Sequence, residues 1–146
     1  MGEASEDASH YDVTEQVGHL LRKAYQRHLA IFHEALAPTQ LTSAQFVTLC
    51  MLRDHGDSAQ VDLVRTTGVD QATIRGVVER LEARGLIALK RDGRDGRRVV
   101  ISLTTAGGDL LAAAIPAARR TSEATVHGLN PAERIALNYL LRKMLA

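Results

Sequence analysis

The sequence predicts a mainly α fold with one small β-hairpin, in the order α-α-α-α-β-β-α-α. Three observations predict it. Apolar residues recur at helical spacing along most of the 146 residues. Capping residues and glycines cut that pattern into separate helices. Between Leu86 and Thr104 the apolar period changes to two around a glycine-rich, charged turn.

The first helix is expected from about Val13 to Leu36. Its stripe is Val17, Leu20, Leu21, Ala24, His28, Ile31, Phe32 and Ala35, and Pro38 ends it. Thr42-Ser43-Ala44-Gln45 reads as a capping box that opens a second helix through about Asp54. His55-Gly56-Asp57 stops it. A short third helix begins at Ser58 or Ala59, ends at Thr67 and is closed by Gly68. Asp70 caps a fourth helix that runs to Arg84, with Gly85 as terminator. The hairpin comes next. Leu86, Ile87 and Leu89 precede Lys90-Arg91, and the turn and second strand are DGRDGRRVVISLT, Asp92 to Thr104. Val99, Ile101 and Leu103 share one face. Thr104 caps a long fifth helix, about Thr105 to His127, where Pro116 predicts a kink. Asn130-Pro131-Ala132-Glu133 is a capping box with proline at the first helical position, and it opens the last helix.

The length suits one core and is short for two. No apolar run approaches the roughly 18 residues of a membrane span. The N-terminal stretch MGEASEDASHYD has neither a basic nor an apolar signal region, and Cys50 is the one cysteine, which excludes an internal disulfide. A cytoplasmic protein with no membrane partner is expected. The net charge of +1 argues against strong global attraction to nucleic acid. Its distribution is uneven. Residues 1–17 carry five acids (Glu3, Glu6, Asp7, Asp12, Glu15) and no Lys or Arg, whereas residues 58–104 carry nine bases against six acids. The positive field is local, although an ordinary solvated surface has the same charges.

Leu63, Val64, Val69, Ile74, Val77, Val78 and Leu81 form the inward face of a helix-turn-helix, with Gly68 in the turn. The hairpin then makes it a winged helix-turn-helix, and double-stranded DNA is the expected partner. The outward face of the fourth helix presents Gln71, Thr73, Arg75, Gly76 and Glu79, followed by Arg80. Glutamine suits adenine edges and arginine suits guanine O6 and N7. Thr73 suits a phosphate or a thymine methyl, and Gly76 permits close approach to the groove. In the wing, Asp92 is placed to orient the Arg94 guanidinium toward a minor groove. Arg97 and Arg98 are expected to meet phosphates or to pair with Asp92 and Asp95. A salt-bridged hairpin without a ligand would explain the acids but not the unused arginines. The stripes Leu110, Leu111, Ala114 and Ile135, Leu137, Leu140, Leu141, Leu145 exceed what one small domain can cover, and a helical homodimer interface is their natural use.

These residues resemble the MarR family of bacterial transcription regulators over nearly the whole chain, from about residue 13 to 145. The wing pattern D-x-R-D-x-R with an alternating strand and L-T is intact from Asp92 to Thr104. LTSAQFVTL (41–49) resembles the family's second helix, and VDQATIRGVVERLEARGLI (69–87) its recognition helix and first wing strand. The resemblance implies a homodimer on a palindromic operator, with recognition helices about 34 Å apart. It further implies repression relieved by a small aromatic acid. HYDVTEQVGHLLRKAYQRHLAIF (10–32) resembles the branch that represses nicotinate degradation, which implies a hydroxylated nicotinate as effector. The implied organisation is a frayed 1–12, a winged helix-turn-helix at 41–103, and helical dimerisation regions at 13–40 and 104–146.

The family's pocket lies between the dimer helices and the winged domain. His28 is the odd residue on the first helix's apolar stripe, although a lone histidine there is more often a satisfied core residue. With His19, Arg22 and Tyr25 within two turns, and Phe46 on the second helix, it could hold a planar carboxylate. A solvent-facing place suits His19 and Arg22 equally, and Phe46 needs no role beyond the core. No cofactor is expected. Metal sensing lacks converging ligands: His28 and His33 are five apart, and no H-x-x-x-H occurs. Cys50 sits among Phe46, Val47 and Leu49 and reads as a small buried hydrophobe rather than a redox sensor. No catalytic motif is present, so an enzyme is not expected. A protein-binding helical adaptor would not need exposed arginines on both helix and wing.

Overall fold

A computed structural model describes residues 8–146. Glu3, Glu6, Asp7 and most of the stretch expected to fray lie outside the described residues. Six helices and one hairpin follow in the expected order: α1 Val17–Leu36, α2 Ser43–His55, α3 Gln60–Thr67, α4 Gln71–Ala83, β1 Ile87–Arg91, β2 Val99–Leu103, α5 Thr105–Thr125 and α6 Pro131–Leu145.

The starts of α2, α4, α5 and α6 lie where their caps placed them. Thr42, Asp70, Thr104 and Asn130 each accept the backbone N–H three residues on. Gln45 and Glu133 return the bond, completing two capping boxes. The first helix begins four residues later than its periodicity suggests. Val13–Glu15 is a separate 3-10 turn, because Asp12 takes both the N–H and the hydroxyl of Thr14. Gln16 is then extended before α1 starts. The fifth helix closes at Thr125, two residues early, and runs unbroken past Pro116.

One core joins the C-terminal half of α1, the hairpin, α2, α3, α4 and the middle of α5. Leu36, Leu49, Leu63, Ile74, Leu81, Ile87, Ile101 and Leu111 are fully buried in it. Burial of each such side chain contributes about 1.5–3 kcal/mol relative to exposure. β1 pairs antiparallel with β2, Leu89 opposite Ile101 and Arg91 opposite Val99. The outer edge of β2 is also covered, because Ser58 exchanges both backbone bonds with Ile101. Ile101 is buried and Leu103 half-buried, but Val99, at the outer end of the hairpin, is exposed, while its neighbour Val100 is buried.

The two terminal stripes differ. Leu111 and Ala114 are covered by their own chain, where α5 packs along α1 and against α2. The α6 stripe is not: no residue of α6 is buried, and Ile135 and Leu145 are 72% and 87% exposed. Tyr11, Val17, Leu20 and Tyr25, at the N-terminal end of α1 and just before it, are exposed as well. No helix among the described residues is long and apolar enough to cross a membrane.

Candidate nucleic-acid interface and effector cavity

The helix-turn-helix is built from α3 and α4. Gly68 closes α3 with φ 71°, a left-handed conformation that favours glycine. Ile74, Val77, Val78 and Leu81 are buried, and Val64 and Val69 pack against that cluster. Burying this face leaves Gln71, Thr73, Arg75, Glu79 and Arg80 exposed on the other, with Gly76 half-buried.

Asp70 is committed to the helix: it accepts the backbone N–H of Thr73 at 2.9 Å and its hydroxyl at 2.7 Å. Those bonds hold its carboxyl below the ordinary range. Thr73 has thus spent its one hydroxyl proton, and offers DNA a methyl group and an acceptor. Arg75 approaches Glu79 at 3.9 Å on the exposed surface, a contact too loose to compete with a bidentate base contact. At Gly76 an added Cβ would lie 3.4 Å from an Arg80 guanidinium nitrogen. An alanine there would touch the end of the flexible Arg80 side chain at ordinary contact distance.

The acids of the wing shape its turn. Asp92 accepts the backbone N–H of Arg94 and Asp95 that of Arg97, both at 3.0 Å. These Asx turns set the backbone; Asp92 does not hold the Arg94 guanidinium. Among the described residues, neither the Arg94 nor the Arg97 guanidinium has a side-chain partner. Arg98 is placed differently. It pairs at 2.8 Å with Asp62 of α3, 36 residues away. Lys90 pairs with Asp57 at 2.7 Å. Two ion pairs thus tie the base of the wing to the body and leave Arg94 and Arg97 at its tip.

A cavity of about 540 Å³ opens between α1, the end of α5 and α6. It is lined by His28, Thr125, Glu123, Arg134 and Asn138, with Leu137 and Leu141 among its apolar walls. His28 Nδ1 lies 2.9 Å from Thr125 Oγ1, which itself donates to the Thr121 carbonyl at 2.7 Å. The threonine has only one proton, so Nδ1–H must be the donor to it, which leaves Nε2 to accept when the ring is neutral. Tyr25 stacks on His28 at 6.0 Å between ring centroids. Phe46 packs instead edge-on to Phe32 at 5.6 Å, and on α1 His19 is half-buried and Arg22 exposed; none of the three lines the cavity.

The cationic group of this cavity is Arg134, which the sequence reading missed. It pairs with Glu123 at 2.8 Å and donates Nε to the Leu129 carbonyl at 3.0 Å. Its position inside a capped amphipathic helix gave no signal, since exposed helix arginines look the same. Cys50 is half-buried, and burial pushes its thiol pKa up, away from the thiolate that redox sensing uses. Among the described residues no group of three His, Cys, Asp or Glu could hold a metal ion.

A family model described as MarR family matches residues 39–98. The chain is 60% identical over 139 residues to the HTH-type transcriptional repressor NicR of Pseudomonas putida, covering 95% of this chain and 88% of that protein. It is similar to the structure of Bordetella bronchiseptica BpsR, solved to explain regulation of that protein's DNA binding by 6-hydroxynicotinic acid. Sequence identity is 54%, coverage 92% of this chain and 96% of that one, and the TM-score 0.87. A mutant MarR of Escherichia coli complexed with operator DNA is 26% identical, covers 93% of this chain and 100% of its own, and superposes with a TM-score of 0.84.

Proposed function

Since the chain belongs to the MarR family, we propose that it is a homodimeric transcriptional repressor that binds a palindromic operator and is released by a small aromatic acid. A hydroxylated nicotinate is the first candidate, given its similarity to the NicR repressor and to BpsR. The observation that carries the DNA-binding part is geometric. One folded unit presents both the exposed face of α4, with Gln71, Thr73, Arg75 and Arg80, and the exposed wing-tip residues Arg94 and Arg97. Side chains of the first kind read base edges in a major groove, and those of the second reach a phosphate or a minor groove alongside. Arg98 belongs to the wing's anchorage in the free protein and reaches DNA only by leaving Asp62.

We assign residues 41–103 to DNA binding, and residues 13–40 and 104–146 to dimerisation. The bare α6 face supports the second assignment, since about 15 residues of isolated helix are marginal in water without packing. The protein is read as a regulator rather than an enzyme, working in the cytoplasm. For the effector, the cavity beside His28 offers a cation in Arg134, an acceptor in His28 Nε2, an amide in Asn138 and apolar walls. An aromatic carboxylate matches that set: its anion can displace Glu123 from Arg134, and its ring can lie along the leucines.

The test is a titration of the purified protein on the DNA upstream of its own coding sequence, at fixed salt, with and without 6-hydroxynicotinate. Tight binding relieved by the compound is expected. Tight binding without relief discards the nicotinate assignment and keeps the regulator. Affinity equal to that for random DNA removes this promoter as its operator.

A further inference from the structure

The recognition helix is fastened to the rest of the molecule at its C-terminal end. Arg84, the first residue after α4, reaches back more than 40 residues in sequence. Its Nη1 donates to the Gln40 carbonyl at 3.0 Å and its Nη2 to the Thr39 carbonyl at 2.9 Å. Those carbonyls belong to the connector between α1 and α2. There Ala37–Thr39 forms a 3-10 turn and Gln40 adopts φ 55°, making it the one non-glycine residue with positive φ among the described residues. A left-handed residue at the end of a helical segment leaves carbonyls without helical donors, and the planar guanidinium fork supplies donors to two at once. The next two residues hold the other scaffold helix. The Gly85 carbonyl accepts the Thr104 hydroxyl at 2.7 Å, and the Leu86 carbonyl accepts the Thr104 N–H at 3.1 Å, at the cap of α5.

Three consecutive residues, Arg84 to Leu86, therefore join the recognition helix to the end of α1 and the start of α5. Those two helices pack on each other. They also meet beside the cavity, where Arg27 donates to the Thr125 carbonyl at 2.8 Å and His28 to the Thr125 hydroxyl.

We propose that Arg84 is a positioning residue for operator recognition: by bridging the Thr39 and Gln40 carbonyls it fixes the angle of α4 against the α1–α5 scaffold, and so fixes the half-site spacing that the dimer accepts. The inference rests on the DNA-binding reading above. It differs from a DNA contact in what it predicts. A phosphate contact contributes equally at every spacing, whereas a positioning bond determines which spacing fits. Shifting one half-site by a base pair moves it about 3.4 Å and turns it by about a tenth of a helical turn, which a rigidly held α4 cannot follow.

The experiment selects an operator from random double-stranded DNA with the wild-type protein, then measures affinity for it and for a version with one base pair inserted at its centre. Wild type, Arg84→Met and Arg84→Lys are compared, with melting temperature and dimer mass recorded for each. We expect wild type to favour the selected spacing by about 100-fold, in line with the energetic weight of specific contacts. In both variants the ratio drops below about tenfold. Affinity for the selected operator itself falls about threefold to tenfold, because fewer molecules hold the competent orientation. Arg84→Lys keeps the charge but not the two-pronged geometry, so it decides the matter even if the methionine variant folds poorly. Equal loss at both spacings, or an unchanged ratio in the lysine variant, overturns the proposal. Wild-type protein that selects no DNA overturns the functional reading as well.

Discussion

Replacing Gly107 with alanine drives the new Cβ onto the Leu86 carbonyl oxygen, and leaves it 2.8 Å from Leu103 Cδ1 and 3.0 Å from the Leu86 carbonyl carbon. The leucine tip can rotate away, but the carbonyl cannot. It is the acceptor for the Thr104 N–H, and the neighbouring Gly85 carbonyl holds the Thr104 hydroxyl. Relief must come from displacing the first turn of α5 from the end of α4, which strains both bonds. Overpacking of a rigid site costs about 1–3 kcal/mol, and a backbone obstacle belongs at the upper end. Alanine returns up to about 1 kcal/mol of helix propensity. The net loss is about 2 kcal/mol, or a fall in melting temperature of roughly 4–8 °C for a chain of this size.

The adjacent glycine supplies the control. At Gly108 the nearest atom to an added Cβ is Leu103 Cδ2, at 3.9 Å, an ordinary contact. Gly108→Ala should therefore keep only the propensity gain, about 0.5–1 kcal/mol, and raise the melting temperature by roughly 1–4 °C. Both variants are measured by thermal unfolding at one protein concentration, since dimerisation makes the midpoint concentration-dependent. The same substitution at neighbouring positions should move the midpoint in opposite directions. Equal shifts would refute the close approach of α5 to Leu86.

Arg94→Ala should weaken binding to all DNA sequences and reduce the salt slope by about one, with folding intact; unchanged operator affinity removes the wing tip from the interface. Arg75→Ala should cost about 1–3 kcal/mol at one base pair and relax selectivity there, whereas loss spread evenly over operator variants makes it a backbone contact. In a double-mutant cycle, Asp62→Ala and Arg98→Ala should couple by about 0.5–1 kcal/mol in unfolding free energy, as a partly exposed pair does; zero coupling means the wing is not anchored there. The carboxyls of Asp62, through the Ala59 N–H, and Asp57, through Lys90, are held below their ordinary 3.8. Groups with a depressed folded pKa contribute stability above that value and lose it as pH falls through the folded one. Wing anchorage should therefore be constant from pH 8 to 5, with unfolding free energy falling only below about pH 4; a decline centred near pH 6 contradicts this assignment.

What the sequence made legible was local. Thr42, Asp70, Thr104 and Asn130 announce helix starts because a cap acts over three residues. The buried face of α4 was legible for the same reason, whereas the alternation expected in the hairpin was not kept: Val99 is exposed and Val100 buried beside Ile101. The break at Gln16 was also local: Asp12 caps Thr14 just before the apolar stripe begins at Val17, and the expected start at Val13 overlooked that cap. Contacts between distant residues left no trace. Arg98 was expected to meet a phosphate or to pair with Asp92 or Asp95, and it pairs instead with Asp62; Arg84 figured in the sequence only as the end of the fourth helix. Of the side chains considered for an effector, His28 lines the cavity and Tyr25 does not, touching only the His28 ring, while the cation came from Arg134 on a different helix. Spacing along one helix shows which residues share a face; it does not show which other helix that face meets.

The exposure of α6 links these parts. Its capping box and proline give it a well-formed start, yet none of its residues is buried, and Ile135, Tyr139, Leu140, Met144 and Leu145 are exposed. A helix in that condition gains its stability from what covers it. If a second copy covers it, the same helix supplies Arg134, Asn138, Leu137 and Leu141 to the cavity and its opposite face to the dimer. A ligand that draws Arg134 away from Glu123 then acts on the same helix that the proposed dimer would use.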